Sequence, residues 1–220
     1  MCIRDRGVTA KPGPASGWLG RHLSLSLPEI DSAFRAIAIS GNVPVALQGA
    51  AEPLAITNLN EFGFDQGVID AGYTQVLDAL FHPQAPLAPS AQAALSAVDE
   101  LQAANLADIL PENGAVYPGS DLGNKLKQAG QLVKSNLPVE VICIDAGGWD
   151  HHESLPGNLQ NALSDLAASM SAFHTDMGSR MQSISFFVMT EFGRRVAENA
   201  SNGTDHGTGC VAYAMGGGVN

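Results

Sequence analysis

Three short loops in the second half of the chain carry side chains that could bind a metal ion or transfer protons. Their sequences are DAGGWDHH (145–152), TEFGRR (190–195) and NGTDHG (202–207). The first two follow apolar, β-rich runs, VEVICID (139–145) and ISFFVMT (184–190). Because ligands bind beyond the carboxyl ends of strands in an open parallel sheet, we expect both loops at one sheet edge, forming a metal-dependent hydrolytic site. The candidate side chains are Asp145, Asp150, His151, His152, Glu191, Asp205 and His206.

The adjacent pair Asp205 and His206 is the strongest pair of metal-ligand candidates. A carboxylate beside an imidazole suits a divalent ion such as Zn²⁺ or Mn²⁺, which accepts mixed nitrogen and oxygen ligands. Gly203 and Gly207 flank the pair and allow tight backbone geometry near a ligand. Adjacent Asp and His residues also occur on exposed turns that bind nothing, so the pair alone is a weak signal.

The loop at 145–152 holds a second set of candidate ligands. Asp150 and His152 are two residues apart, so on an extended segment their side chains point to the same side. Asp145 and His151 compete for the same role. The alternative is a solvated loop in which Trp149 packs onto the edge of the sheet.

Glu191 and Arg194 follow the second apolar run and are the candidate catalytic residues. Glu191 could be a metal ligand, a partner of a ligating histidine, or a general base. Arg194 could neutralise an anionic substrate, because its planar guanidinium matches phosphate or sulfate oxygens. The alternative is a surface Glu–Arg ion pair, which contributes less than about 1 kcal/mol.

Helical and strand patterns alternate from residue 90 onward and predict an α/β fold with a mostly parallel sheet covered by helices. Apolar residues recur at helical spacing over 91–101, 122–133 and 159–177, and Ser120 is a candidate N-cap. The runs at 139–145, 184–190 and 210–215 are typical of strands, and the first two, with the helix between them, predict a right-handed βαβ unit. Upstream we predict a short helix within 27–40, strands at 43–49 and 54–62, and a Pro-rich turn or linker at 82–89.

The charge balance argues against two classes of partner. The chain has 11 basic and 22 acidic residues, for a formal net charge of −11. Phosphate backbones and anionic lipids are bound by clustered Lys and Arg, so neither nucleic acid nor a polybasic membrane contact is expected. No run of 18 apolar residues occurs, so we expect no transmembrane segment.

Both ends of the sequence have the character of cut ends. MCIRDR (1–6) resembles a translated sequencing adapter, and AYAMGGGVN (212–220) stops just after a strand-like run. We therefore expect residues 1–6 to be an artefact and residues 7–220 to be one domain fragment, truncated at both ends.

The motifs together resemble the domain-of-unknown-function family 1501, which itself resembles the alkaline phosphatase and sulfatase superfamily. The family signature is roughly G-W-D-T-H, E-F-G-R-T, E-N and G-T-D-H-G, and this chain has GWDHH, EFGRR, AENASNGTDHG and GGG. The segments at 16–23 and 27–50 also match, so the resemblance covers nearly everything from residue 16 onward. Two residues depart from the signature, because His151 and Arg195 each stand where Thr is usual. His151 could therefore replace His152 as a ligand.

The resemblance implies a site and a fold that spacing alone does not give. It implies an alkaline phosphatase-like fold and two divalent metal ions, with Zn²⁺ or Mn²⁺ the expected species. By position, Asp150 and His152 match one pair of ligands and Asp205 and His206 the other. The superfamily's Ser or Thr nucleophile is expected before residue 7, together with an export signal, so an exported or periplasmic location is implied by resemblance only.

These observations lead to two functional hypotheses. The first is a metal-dependent hydrolase of phosphate or sulfate esters, acting on an anionic small molecule or polymer. The second is an exported, non-catalytic metal-binding or assembly protein that retains the fold, because one fold hosts many functions.

Overall fold

A small parallel sheet lies at the centre of the fold. The computed structural model describes residues 16–26, 32–49, 53–62 and 88–219. Strand β1 (Ala36–Ile39) lies between β2 (Leu54–Ala55) and β3 (Val141–Ile144), and it pairs in parallel with both. In the register, Ile37 lies opposite Leu54 and Ile142. All four residues of β1 are buried, as expected for a central parallel strand covered on both faces.

The helix predicted within 27–40 is wrong over the described part of that segment. Residues 33–35 form one 3₁₀ turn and β1 follows directly. The short AIAI run (36–39) could form a helix or a strand, and its burial between two parallel strands favours the strand. Residues 1–6, 27–31 and 82–87 lie outside the described residues, and the predictions for them therefore do too.

The strand predicted at 43–49 is also wrong. Val45–Leu47 form a 3₁₀ helix after Pro44, closed by a hydrogen bond from Leu47 N to Pro44 O of 3.0 Å. This turn packs against helix α1 (Trp18–Leu25), where Gly17 N donates to Gln48 O at 2.7 Å. The strand predicted at 54–62 is confined to β2, at Leu54–Ala55.

Three longer helices cover the core. They are α2 (Ala88–Ala104), α3 (Asp121–Lys134) and α4 (Leu155–Met177). The predicted N-cap is confirmed, because Ser120 Oγ accepts a hydrogen bond from Gly123 N at 3.0 Å. Helices α3 and α4 enclose one hydrophobic cluster with β1, which includes Ile37, Leu132 and Phe173. Of the apolar stripe predicted on α4, Leu166, Phe173 and Met177 are buried, whereas Leu163 is exposed.

A buried ion pair joins α3 to α4. Lys134 Nζ lies 2.6 Å from Asp176 Oδ1, and their side chains are only 3% and 1% exposed. Tyr117 Oη donates to Asp176 Oδ2 at 2.8 Å, and Glu112 N donates to Asp176 Oδ1 at 2.6 Å. Burial, followed by the hydrogen bond to Asp176, raises the pKa of Tyr117 above its ordinary value. The pair therefore also fixes the connection between α2 and α3.

The remaining strands in the described part of the chain form two antiparallel pairs. Strand β4 (Ser185–Val188) pairs with β7 (Tyr213–Gly216), and β5 (Gly193–Arg194) pairs with β6 (His206–Gly207). The strands predicted at 139–145, 184–190 and 210–215 are thus found, with shorter or shifted bounds. The predicted pairing of the first two in one βαβ unit is wrong, because β4 takes β7 as its partner and lies outside the parallel sheet. Sequence periodicity shows which runs are extended, whereas tertiary contacts select their partners.

The described chain is therefore mixed α/β with a small parallel sheet. Among the helices that the structure describes, none has the combination of length and apolarity needed to cross a membrane.

Candidate metal centre

The β5–β6 pair brings the loop at 190–195 against the loop at 202–207. Arg194 lies opposite His206, and Arg195 N donates to Asp205 O at 2.9 Å. The two strands approach so closely that a Cβ at Gly193 would lie 2.7 Å from Gly207 O. A glycine is required there because no side-chain carbon fits at that distance from backbone.

Backbone contacts join the loop at 202–207 to the loop at 145–152. Thr204 N donates to His151 O at 3.2 Å, and Leu155 N at the start of α4 donates to Asn202 O at 2.8 Å. A Cβ at Gly203 would lie only 2.2 Å from His152 O. The three loops named by the sequence therefore meet, although their pairings differ from those of a single parallel sheet.

Three of the predicted metal ligands converge on one point. Asp150 Oδ1 lies 3.0 Å from His152 Nε2 and 2.9 Å from His206 Nε2. Within the described residues these three side chains form a group whose ligand atoms all lie within 4.8 Å of one another. Their side chains are about half exposed, at 52%, 48% and 53% for Asp150, His152 and His206. A small cation could therefore reach the group from solvent.

The fourth predicted ligand, Asp205, lies on the other side of His152. Its Oδ1 is 3.2 Å from His152 Nδ1, whereas the group above uses His152 Nε2. Asn199 Nδ2 also donates to Asp205 Oδ1, at 3.2 Å. Asp205 thus contacts a candidate ligand without belonging to the group of three.

His151 and Asp145, the alternative ligands predicted from the sequence, do not belong to this group. His152, rather than His151, enters the group, while Nε2 of His151 is buried with no hydrogen-bond partner. Asp145 is exposed just after β3 and lies outside the group, and its backbone oxygen accepts from Lys125 Nζ at 3.0 Å.

Arg194 connects the three loops through its guanidinium group. It donates to Asp150 Oδ1, to Thr204 O and, at 3.1 Å, to Trp149 O. The planar fork of an arginine suits several acceptors in fixed directions. These contacts direct the guanidinium of Arg194 toward the protein itself and make it a positioning residue for Asp150.

Phe192 contributes to the site although no sequence signal singled it out, and Asn199, predicted from the sequence only as a residue that shapes the turn before Gly203, also contacts Asp205. The Phe192 ring stacks on the His206 ring, with centroids 4.2 Å apart and planes at 21°. Arg194 Cζ lies 5.1 Å from the centroid of the same ring. Their positions were the available signal, because Phe192 lies between Glu191 and Arg194 and Asn199 lies between the loops at 190–195 and 202–207.

Comparison with known protein families supports the family resemblance that the motifs indicate. The family described as "Protein of unknown function (DUF1501)" matches residues 4–220. The chain belongs to this family. No curated protein and no solved structure matches the chain.

In this DUF1501 chain the two site carboxylates are held in their ionised form. The hydrogen bond from His206, together with the charges of His152, His206 and Arg194, lowers the pKa of Asp150. Hydrogen bonds from Asn199 and then His152 lower the pKa of Asp205, with a contribution from the charge of Arg195. Metal ions bind carboxylates in the deprotonated form, so the lowered pKa keeps Asp150 in the form that a ligand needs.

Glu191 stands apart from the other DUF1501 candidates. It is exposed, it lies outside the group of three, and within the described residues it makes no hydrogen bond or ion pair. Its proposed catalytic role stays a prediction.

The donor set of this DUF1501 chain fits a divalent metal. Two imidazole nitrogens and one carboxylate oxygen are the ligands that Zn²⁺ and related ions take in catalytic sites, where three protein ligands leave a position open. The half-exposed side chains are compatible with such an open position.

Proposed function

We propose that the protein is a metal-dependent hydrolase of phosphate or sulfate esters, with its metal held by Asp150, His152 and His206. The observation that carries this proposal is the convergence of Asp150 Oδ1 and His152 Nε2, from the loop at 145–152, with His206 Nε2, from the loop at 202–207. The two loops are held together by backbone hydrogen bonds such as that from Thr204 N to His151 O, at 3.2 Å.

The chemistry of such a site follows from its residues. A divalent ion bound there supplies Lewis-acid polarisation of the ester oxygen. Asp150 gives the site a negative charge, and Arg194 fixes the direction of that carboxylate. Phe192 limits the rotation of the His206 ring by stacking on it, so that Nε2 stays directed at Asp150.

An anionic substrate needs a cationic contact that the protein does not already use. Arg194 donates to three protein acceptors, so we assign this contact to Arg195. Arg195 is exposed, and its charge acts on Asp205 at the edge of the site. Glu191 is exposed, three residues after the end of β4, and we assign it the role of general base in this proposal.

An alkaline phosphatase-like fold, membership of that superfamily and a second metal ion are part of the same proposal. A site beyond the carboxyl end of β3, in a mixed α/β fold with a parallel sheet, supports an alkaline phosphatase-like fold and superfamily. Two ions and an exported location follow from the resemblance alone. The described side chains converge on one cluster, and metal stoichiometry decides whether a second ion binds beside Asp205.

Metal content tests the proposal directly. The protein is loaded with Zn²⁺ or Mn²⁺, desalted and measured by elemental mass spectrometry beside Asp150→Asn and His206→Gln. We expect bound metal in the wild type and its loss in both variants. Glu198→Gln removes an exposed carboxylate between the loops at 190–195 and 202–207, and this variant should keep the metal. Wild-type protein that binds no metal after loading would rule out this mechanism.

A non-catalytic metal-binding role is the second candidate, and the exposure of the site favours it. About half of each ligand side chain is open to solvent, whereas hydrolytic sites commonly enclose their substrate. Turnover of aryl phosphates and aryl sulfates by the metal-loaded protein separates the two functions. Bound metal without turnover of either ester class supports the binding role, and turnover lost in Asp150→Asn supports the hydrolase.

A further inference from the structure

We propose that Asp205 is a positioning residue for His152, held in place by Asn199, and does not ligate the metal. This inference rests on the metal site proposed above and specifies how one of its ligands is oriented. It differs from the expectation drawn from the sequence, in which Asp205 and His206 together bind metal.

The two nitrogens of the His152 ring face different carboxylates. Nε2 lies 3.0 Å from Asp150 Oδ1, and Nδ1 lies 3.2 Å from Asp205 Oδ1. The ring nitrogens point in diverging directions, so an ion bound at Nε2 lies on the side away from the Asp205 contact. Consistently, neither carboxylate oxygen of Asp205 falls in the group formed by Asp150, His152 and His206.

A histidine that binds a metal through Nε2 usually donates its Nδ1 hydrogen to an acceptor such as a carboxylate. By accepting the Nδ1 hydrogen the carboxylate fixes the tautomer in which Nε2 carries the free lone pair, and it makes that nitrogen a better donor. Loss of such a partner typically weakens metal binding by about 10–100-fold. Asp205 is therefore placed to act on the metal through His152.

Asn199 holds this arrangement together with both ends of its amide. Its Nδ2 donates to Asp205 Oδ1 at 3.2 Å and to His152 O at 2.8 Å. Its Oδ1 accepts from Ser201 N at 2.9 Å and from Gly203 N at 3.0 Å. One end shapes the turn that precedes Asp205, and the other end fixes Asp205 against His152.

The two functions of Asn199 can be separated by substitution. In Asn199→Asp the side chain still accepts from both turn amides, but an oxygen replaces the donor and repels Asp205. In Asn199→Ala both sets of contacts are lost. If Asn199 acts by holding Asp205, Asn199→Asp therefore weakens metal binding although the turn is kept.

Co²⁺ is the probe for the test, since its visible absorption reports binding and its dissociation constant follows from competition with a chelator. For Asp205→Asn and Asn199→Asp we expect the wild-type number of ions per chain and a dissociation constant raised about 10–100-fold. Glu198→Gln keeps the wild-type dissociation constant. A fall from two ions to one in Asp205→Asn, or an unchanged dissociation constant, overturns the inference.

The tautomer of His152 gives a readout that does not depend on metal. Long-range ¹H–¹⁵N spectra of the metal-free protein, assigned with His152→Gln, report which ring nitrogen carries hydrogen. We expect Nδ1 to be protonated in the wild type and this preference to be lost in Asp205→Asn. If the wild type binds no Co²⁺ but shows this change, the metal proposal fails while the Asp205–His152 contact stands. An unchanged tautomer in Asp205→Asn overturns the inference whatever the metal result.

Discussion

Asp150 is the residue on which the candidate site depends, because three nitrogen atoms lie within contact distance of one of its oxygens. Arg194, His152 and His206 all contact Asp150 Oδ1. Each comes from a different part of the chain, and Arg194 also binds backbone oxygens beside Asp150 and Asp205. Removing Asp150 would therefore take away both a metal ligand and the acceptor that holds Arg194 in place.

At the same scale, Cys143 illustrates how burial sets reactivity. Burial in β3, followed by the nearby charge of Asp145, raises the pKa of the Cys143 thiol to about 11. A raised thiol pKa means that the reactive thiolate is scarce at pH 8 and increases only as the pH approaches 11. We expect iodoacetamide to alkylate exposed Cys210 well before Cys143 at pH 8, in time-resolved peptide mass spectrometry. Equal rates in the folded protein would contradict this, and denatured protein serves as the control for intrinsic reactivity.

Residue identity predicted the candidate ligands, but not which atoms face each other. Asp150, His152 and His206 were expected from their types and from strand-end geometry, and they converge. The placement of Asp205 on the second nitrogen of His152 depends on the turn around Asn199, and no spacing rule gives that turn. Likewise Arg194 has the chemistry of an anion contact, and only the folded loops show that its donors are engaged by the protein.

At the scale of elements, the long apolar patterns were predictable and the short ones were not. Helices α3 and α4 and strand β3 have extended periodic or apolar runs, so local pattern and tertiary burial agree there. Strand β1 has only four residues, and its burial between β2 and β3 overrides any local preference. The β4–β7 pairing needs knowledge of long-range contacts that periodicity does not contain.

The Lys134–Asp176 pair gives a stability prediction at this scale. Asp176→Leu leaves a buried Lys134 without its counter-charge, and breaking a buried pair in this way costs roughly 3–5 kcal/mol of unfolding free energy. We expect Lys134→Met/Asp176→Leu to recover part of that loss, because both buried charges are then absent. Urea unfolding measures both variants.

A surface ion pair on neighbouring elements supplies the matched control. Arg180 Nη1 lies 2.8 Å from Glu112 Oε2, and both side chains are more than 40% exposed. Arg180→Gln should change the unfolding free energy by less than about 1 kcal/mol. If Asp176→Leu cost no more than Arg180→Gln, the ion pair would not be what holds α3 to α4.

At the scale of the whole molecule, the site and the core are built from different kinds of contact. The core consists of apolar side chains from β1, α3 and α4, whereas the three site loops are held by hydrogen bonds around half-exposed polar groups. Regions of the second kind open locally at lower free energy than the core. A metal ion bound by Asp150, His152 and His206 would link loops that the core alone does not hold.

Metal binding should therefore stabilise the loops and leave the core unchanged. At a free Zn²⁺ concentration 100 times the dissociation constant, a ligand that binds only the closed state stabilises it by about 2.7 kcal/mol, which corresponds to roughly 100-fold slower exchange by local opening. We expect amide hydrogen exchange to slow over 146–154 and 192–209 on adding Zn²⁺ and to recover on chelation. Exchange in β1 and α3 should not change, and Asp150→Asn should abolish the effect. Slowing spread evenly over the chain would indicate that Zn²⁺ acts on global stability, and the three loops would then not form one metal-linked unit.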